Sequence, residues 1–414
     1  MTSLRSHAPR KVILAEFNEI TWRLIDPFCR RAVLPTFAEY VREGVRGTPL
    51  AIEVPPNLDP WISWTTLYTG RPQDEHNVHF LEQPPETVQG PRLWEVAAAA
   101  GKSLGIFGSI MSWPPRHDIQ GFWVPDTFSP DTETHPETLR PIQDLNLSYT
   151  RAHSPVSRKE KEKTKSVLAR LGELRKLGLK PSTLAKIASS LARMKLNPHR
   201  SWEKVGLQPL INLDFFEALY REHRPDFATF HTNHVAHYMH RHWRAMDPEP
   251  FKIAPSPEER RRYGSSIEHG YRLADRLLRR LWSLAGDDTV VVLASGLGQQ
   301  PYVDETFQLG RPIVRLKDID QFIDLCGLTG QCTPLSMMAP QWNLKIVDPA
   351  RRAYAEAVLD TSYVGTPEAK LFARTTMGDT ICMNLYQKGF KTLDLDAECV
   401  FPAAGGRQMR LGDL

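Results

Sequence analysis

Lys11-Val-Ile-Leu-Ala-Glu-Phe17 (KVILAEF) is a near-continuous apolar run of strand length. A run with no polar alternation is the pattern of a parallel strand buried on both faces. Outward from it, a helix is expected from Thr21. LPTFAEYVREGV then places Leu34, Phe37, Tyr40 and Val41 on one helical face and stops at Gly44, a suitable C-cap. Leu93 to Ala100 reads as a helix ended by Gly101, and SLGIFGSI as the next buried strand. Further on, DFATFHT reads as a strand, Ile267 to Leu284 as an amphipathic helix, and TVVVLAS as a β-branched buried strand. Alternation of this kind predicts an α/β fold: a doubly wound, mostly parallel central sheet with helices on both faces.

From Arg151 the composition changes. SRKEKEKTKSVLARLGELRKLGLKPSTLAKIASSLARMKL is rich in lysine and arginine at helical spacing, with a single interior proline. The expected organisation is a core from 1–150 and 205–414, interrupted at 151–204 by a basic helical insertion. Its basic face reads first as a solvated surface and second as a seat for an anionic membrane or polymer.

The hydrophobic share is 41%, the charged share 24% and the net charge +4, so no large basic surplus suggests a nucleic-acid coat. The five cysteines form no CxxC pair and are read as free thiols. No stretch has the roughly 18 apolar residues that a membrane helix needs. The N-terminal MTSLRSHAPRKVILAEF lacks a signal-peptide pattern. A cytoplasmic location is the resulting expectation.

Several segments, in order, resemble the type I phosphodiesterase and nucleotide pyrophosphatase branch of the alkaline phosphatase superfamily. KVILAEFNEITWRLI resembles its first strand and turn, and LPTFAEYVREGVRG the helix that follows. WTTLYTGRPQDEHNV resembles the helix after the nucleophile, and LWEVAAAAGKSLGIFGSIMSWPP the next helix and strand. PDFATFHTNHVAHYMHRHWRAMDP and TVVVLASGLG resemble the two later strand ends that carry metal ligands, and FARTTMGDTICMNLYQKG the stretch before the last ligand. The resemblance implies a site at the carboxyl ends of the strands, where two metal ions bracket a phosphoryl or sulfuryl group and activate a hydroxyl nucleophile.

Mapped onto that pattern, this chain has lost most of the charge. The first strand's aspartate falls on Asn18. The nucleophile position falls on Asp59, or on Pro60 if no residue is inserted, and neither is a hydroxyl. Asp59 before Pro60 also reads as a plain helix N-cap. Ser63, Thr65 and Thr66 are hydroxyls nearby, but helix direction carries them away from the mouth. A metal-binding aspartate aligns with Asn233, while the histidine four residues on is kept as His237. Ala294 and Ser295 stand where an Asp-His pair belongs. Glu16 and Glu19 flank Asn18, and strand alternation points both away from it, as structural or surface groups. His231, His234, His237, His240 and His242 crowd one stretch and raise the alternative of a rebuilt metal site.

Two readings follow. In the first, the hydrolase site is lost and a repurposed or inactive homologue binds a phosphorylated, sulfated or glycosidic ligand, with no cofactor assigned. Asn18, Asn233 and Ser295 would then contact the ligand, with Asp59 and His237 left for acid or base work. In the second, the chain is a phosphodiesterase or phosphatase with atypical ligands for zinc or manganese, acting on phosphate or sulfate esters. The partner is in either case a small molecule or glycan with an anionic group, with no nucleic acid expected.

Overall fold

A computed structural model of the 414-residue chain describes residues 11–55, 57–151, 170–305, 308–309, 316–335, 341–385 and 394–414. The central sheet has five strands in the order β3-β2-β4-β1-β5, all neighbours parallel. They are β1 (Lys11–Phe17), β2 (Leu104–Phe107), β3 (Gly121–Val124), β4 (Phe227–Thr232) and β5 (Thr289–Ala294). Parallel strands need crossovers, which run through helices except between β2 and β3, where residues 108–120 form no helix, and all carboxyl ends point one way. In β1 the side chains alternate between two apolar layers. Ile13, Ala15 and Phe17 enter one large cluster with Phe28, Phe37, Phe216, Tyr238 and Leu277 from surrounding helices. The opposite face carries Ile62, Trp64, Tyr68 and Trp94 from the Pro60–Thr69 and Leu93–Ala99 helices. Helices therefore cover both faces.

Local sequence accounts for several element ends. Thr21 caps the Trp22–Arg30 helix by accepting a hydrogen bond from the Arg23 N–H. The Pro35–Glu43 helix stops at Gly44, and the Pro60–Thr69 helix stops at Gly70 with φ of 64°, a left-handed conformation in which glycine is unstrained.

TVVVLAS departs from expectation. It forms β5, but at the sheet edge, with Val290 and Val292 40% and 41% exposed. Val290 and Val292 share one face of the strand, which lacks full cover among the described residues, and β5 pairs only with β1 there. The edge is instead partly guarded by Tyr40, whose hydroxyl donates to Val291 O at 2.5 Å.

From Leu316 onward the chain builds two four-stranded antiparallel sheets around an apolar cluster of their own, which includes Phe322, Trp342, Leu344, Phe372 and Phe401. Gln341 and Asn343 tie this region to the main body through side-chain donors to Leu81 O. Part of the stretch ending at Gly389 lies outside the described residues, as do 152–169 of the basic segment. The described remainder of that segment packs on the main core through buried Leu174 and Leu179 and half-buried Leu184 and Ile187. Part of its charge is already matched: Lys180 pairs with Glu217, and Arg193 with Glu203. Among the described residues no helix is long and apolar enough to cross a membrane, and all five cysteines are free.

Candidate functional site

The ends of β1 and β4 bring Asn18 and Asn233 together. Backbone pairing continues one step past the strands, from Asn18 N–H to Thr232 O at 3.0 Å, and holds the two side chains side by side. Asn18 Nδ2 donates to Asn233 Oδ1 at 2.8 Å and to Glu19 Oε1 at 3.2 Å, while Trp64 Nε1 donates to Asn18 Oδ1 at 2.7 Å. An indole N–H is only a donor, so it fixes which end of the Asn18 amide is oxygen. Asn18 is 2% exposed and its amide is committed on both sides. Trp64→Phe should leave the buried Asn18 oxygen without its donor, at a cost of roughly 1–3 kcal/mol measured by urea unfolding.

Ser295 follows β5, but its hydroxyl donates to Leu297 O at 2.7 Å within its own loop. Gly296 lies against Trp64, where a Cβ would stand 3.1 Å from the indole. His237 is in the first turn of the His234–Met246 helix, its backbone N–H on Asn233 O at 3.3 Å and its ring edge-on to Tyr238.

Asp59 occupies the N-cap position of the Pro60–Thr69 helix with Pro60 next, as the sequence suggests, but its side chain makes no capping hydrogen bond. Burial, and then the charge of Glu19, push its carboxyl up to about 6. Ser63, Thr65 and Thr66 are turned to Asp59 O, Trp61 O and Glu53 respectively.

Glu19 is the residue that sequence reasoning misplaced. It is 4% exposed, has φ of 61°, and turns its carboxylate toward Asn18 and His240. The His240 Nε2 to Glu19 Oε2 distance is 3.0 Å, with the imidazole 59% exposed and the carboxylate 5% exposed. His240 Nδ1 meets Gln299 Nε2 at 3.1 Å. Burial disfavours the imidazolium, but the hydrogen bond and charge of Glu19 outweigh it and hold the His240 pKa above its ordinary value. A left-handed non-glycine residue at a strand end is a local strain often found where a side chain is aimed for function.

The other histidines of the crowded stretch have separate partners. His234 is buried between Thr232 Oγ1 and Gly270 O, and burial lowers its pKa to about 3. His242 bonds Ser266 Oγ at 2.8 Å. His231 faces buried Glu16 at 3.3 Å across paired positions of β4 and β1, on the sheet face away from Phe17. Glu16 is thus a buried, structural group, one of the two roles expected of it. Near it Tyr68, Ser109, Asp126 and Glu82 form a second polar cluster, in which burial raises the carboxyls of Asp126 and Glu82.

The profile of the type I phosphodiesterase / nucleotide pyrophosphatase family matches residues 20–363. The chain belongs to this family. Phosphonoacetate hydrolase from Sinorhizobium meliloti 1021 in complex with phosphonoacetate is 16% identical, with 91% of this chain and 81% of that chain covered and a TM-score of 0.39. The same enzyme with phosphonoformate is 14% identical, covering 90% and 80%, with a TM-score of 0.41. No curated protein matches the sequence at a significant level.

Type I phosphodiesterases resemble the rest of the alkaline phosphatase superfamily in placing two metal ions at these strand ends. The residues here do not fit such a pair. Divalent ions of that kind need several anionic or imidazole donors with free lone pairs. Asn18 and Asn233 supply neutral amides already bonded to one another, and the Asn18 oxygen is taken by Trp64. Ala294 offers no ligand, and Ser295 is turned to Leu297. Among the described residues no three His, Cys, Asp or Glu side chains converge as a metal-holding group.

Proposed function

We propose that this family member has exchanged two-metal phosphoryl chemistry for metal-independent recognition of a hydroxyl-rich, glycosidic ligand at the strand-end mouth. The observation that carries the reading is the closed amide contact of Asn18 and Asn233 under Trp64, flanked by Glu19 and Asp59. A transferring phosphoryl group concentrates negative charge, which carboxylates without a cation repel. Hydroxyl groups suit the same lining, because carboxylate and amide oxygens accept from them. Any phosphate or sulfate on the ligand would lie away from the Glu19 and Asp59 side of the mouth.

The test is thermal unfolding of chelator-treated protein against neutral glycosides and the corresponding sugar phosphates. A binder held at 100 times its Kd adds about 2.7 kcal/mol of stability, read as a rise in Tm. We expect that rise with a glycoside and no change in it when zinc or manganese is added. Ester hydrolysis that requires zinc or manganese and disappears with chelator would overturn the reading in favour of an atypical metal-dependent hydrolase.

A further inference from the structure

We propose that the described part of the basic insertion is a docking surface for an anionic lipid bilayer, met by the outward face of the Pro181–Leu196 helix.

The positive charge of the chain is concentrated there. Residues 181–204 hold five cations, Lys186, Arg193, Lys195, Arg200 and Lys204, against Glu203 as their single acid. That surplus of four equals the net charge of the whole chain, +4, so the remaining sequence is balanced. Neighbouring acids do not quench it. Glu203 has a side chain only 3% exposed and is shared by Arg193 and Arg200, so one carboxylate serves two guanidinium groups. Lys186, Lys195 and Lys204 are exposed and form no ion pair among the described residues. A helix face that is merely solvated mixes both signs at spacings of three and four. No Asp or Glu stands between Pro181 and Trp202.

The same helix carries apolar groups into water. Leu191 is 48% exposed and Leu196 87% exposed. The inward side is given by buried Thr183 and by Leu184 and Ile187, which pack on the core. On the opposite side Ala185, Ala188, Ala192 and Leu196 recur at spacings of three and four, all exposed. Lys186 and Arg193 border that side along one edge, and Lys195 with Leu191 along the other. A helix lying in a bilayer interface has this section: leucine enters the acyl boundary while the long stems of Lys and Arg carry their charges to anionic headgroups. The exposed leucines select a bilayer over an anionic polymer, which offers charge but no hydrocarbon.

The segment can use this face without leaving its place. Trp202 packs edge-on against Tyr238 and His269, with ring centroids 5.9 and 5.3 Å away. A bilayer that holds the insertion therefore holds the main body with it.

The experiment is flotation of the full-length chain with vesicles of phosphatidylcholine alone and of phosphatidylcholine mixed with an equal part of phosphatidylglycerol. We expect binding to the anionic vesicles only, weakening as salt is raised. Each cation near such a surface is worth about fivefold in partition, so Lys186→Gln combined with Lys195→Gln should weaken binding roughly 20-fold. Leu196→Asn leaves the charge untouched and should weaken it about tenfold through the lost apolar contact. Arg30→Gln combined with Lys102→Gln makes the same charge change at two exposed cations outside the segment and should leave binding unchanged. Unchanged Tm in the variants shows that folding is intact. Equal binding to both vesicles, binding to neither, or a paired lysine variant that binds like wild type overturns the proposal. A Leu196→Asn variant that binds like wild type also overturns it and reassigns the surface to an anionic polymer, for which heparin is the probe.

Discussion

Asn18→Asp should cost this protein about 3 kcal/mol or more near pH 8, the scale of a buried charge left without a partner. It should not create a metal site. The new carboxyl at position 18 could still accept from Trp64 Nε1, but its other oxygen would face Asn233 Oδ1 and Glu19 Oε1, the two acceptors that the present amide serves. Asn233 can reverse its amide and donate. Glu19 cannot, so two buried carboxylates would share one place. The site would hold a proton, with the new group's pKa raised by burial and by Glu19. A carboxyl raised in the folded state is stabilising while protonated, so the loss should shrink as the pH falls toward about 5 and grow as it rises. Urea unfolding at several pH values reads this directly. Adding zinc should leave the variant's midpoint unchanged; a zinc-dependent recovery would show that one added charge suffices to hold a metal there.

The same residues show why the fold was more legible in the sequence than the site. KVILAEF, DFATFHT and TVVVLAS carry their strand character in composition, and Thr21 and Gly44 mark helix ends by local chemistry. These signals act over a few residues and do not depend on the chemistry of the site. That β5 lies at the sheet edge is a matter of its neighbours, which no local pattern records. The antiparallel sheets after Leu316 depend in the same way on long-range pairing of short strands.

Glu19 was misread for a sharper reason. Alternation of side chains holds only within a strand. β1 ends at Phe17, and the backbone at Glu19 turns left-handed, so the residue expected to point away comes back beside Asn18. Asn18 and Asn233 stood out because the family resemblance puts metal-binding aspartates at those positions, and the structure joins them. Ser295 stands at the third strand end but is turned into its loop. His240 could be noticed as one histidine among several, but its significance comes from Glu19, which is distant in sequence.

Glu82→Gln should flatten the alkaline side of the stability curve. Glu82 is 8% exposed and Asp126 1% exposed, and the two carboxyls lie against one another. Burial raises the Glu82 pKa well above the ordinary glutamate range, the charge of Asp126 raises it further, and Arg92 opposes only in part because it is already bonded to Glu95 at 2.6 Å. Burial also raises Asp126, against the pull of the Phe128 N–H on its carboxylate. The folded pair thus keeps a proton that the unfolded chain releases above about pH 4–5. Its contribution is fully present below that range and is lost as pH rises through the folded values. Each proton so retained lowers stability by about 1.4 kcal/mol per pH unit over the interval. A neutral amide at position 82 has no proton to lose, so the variant should be the more stable of the two near pH 9, by several kcal/mol if the slope persists for a few units. Paired urea titrations from about pH 5 to 9 give both slopes. Parallel curves for wild type and Glu82→Gln would mean that the Asp126–Glu82 pair exchanges its proton equally in both states, and that the buried cluster beside His231 is not the protein's alkaline weak point. Asp126→Asn should act in the same direction, and the double variant should gain less than the sum, because each carboxylate is the other's main charged neighbour.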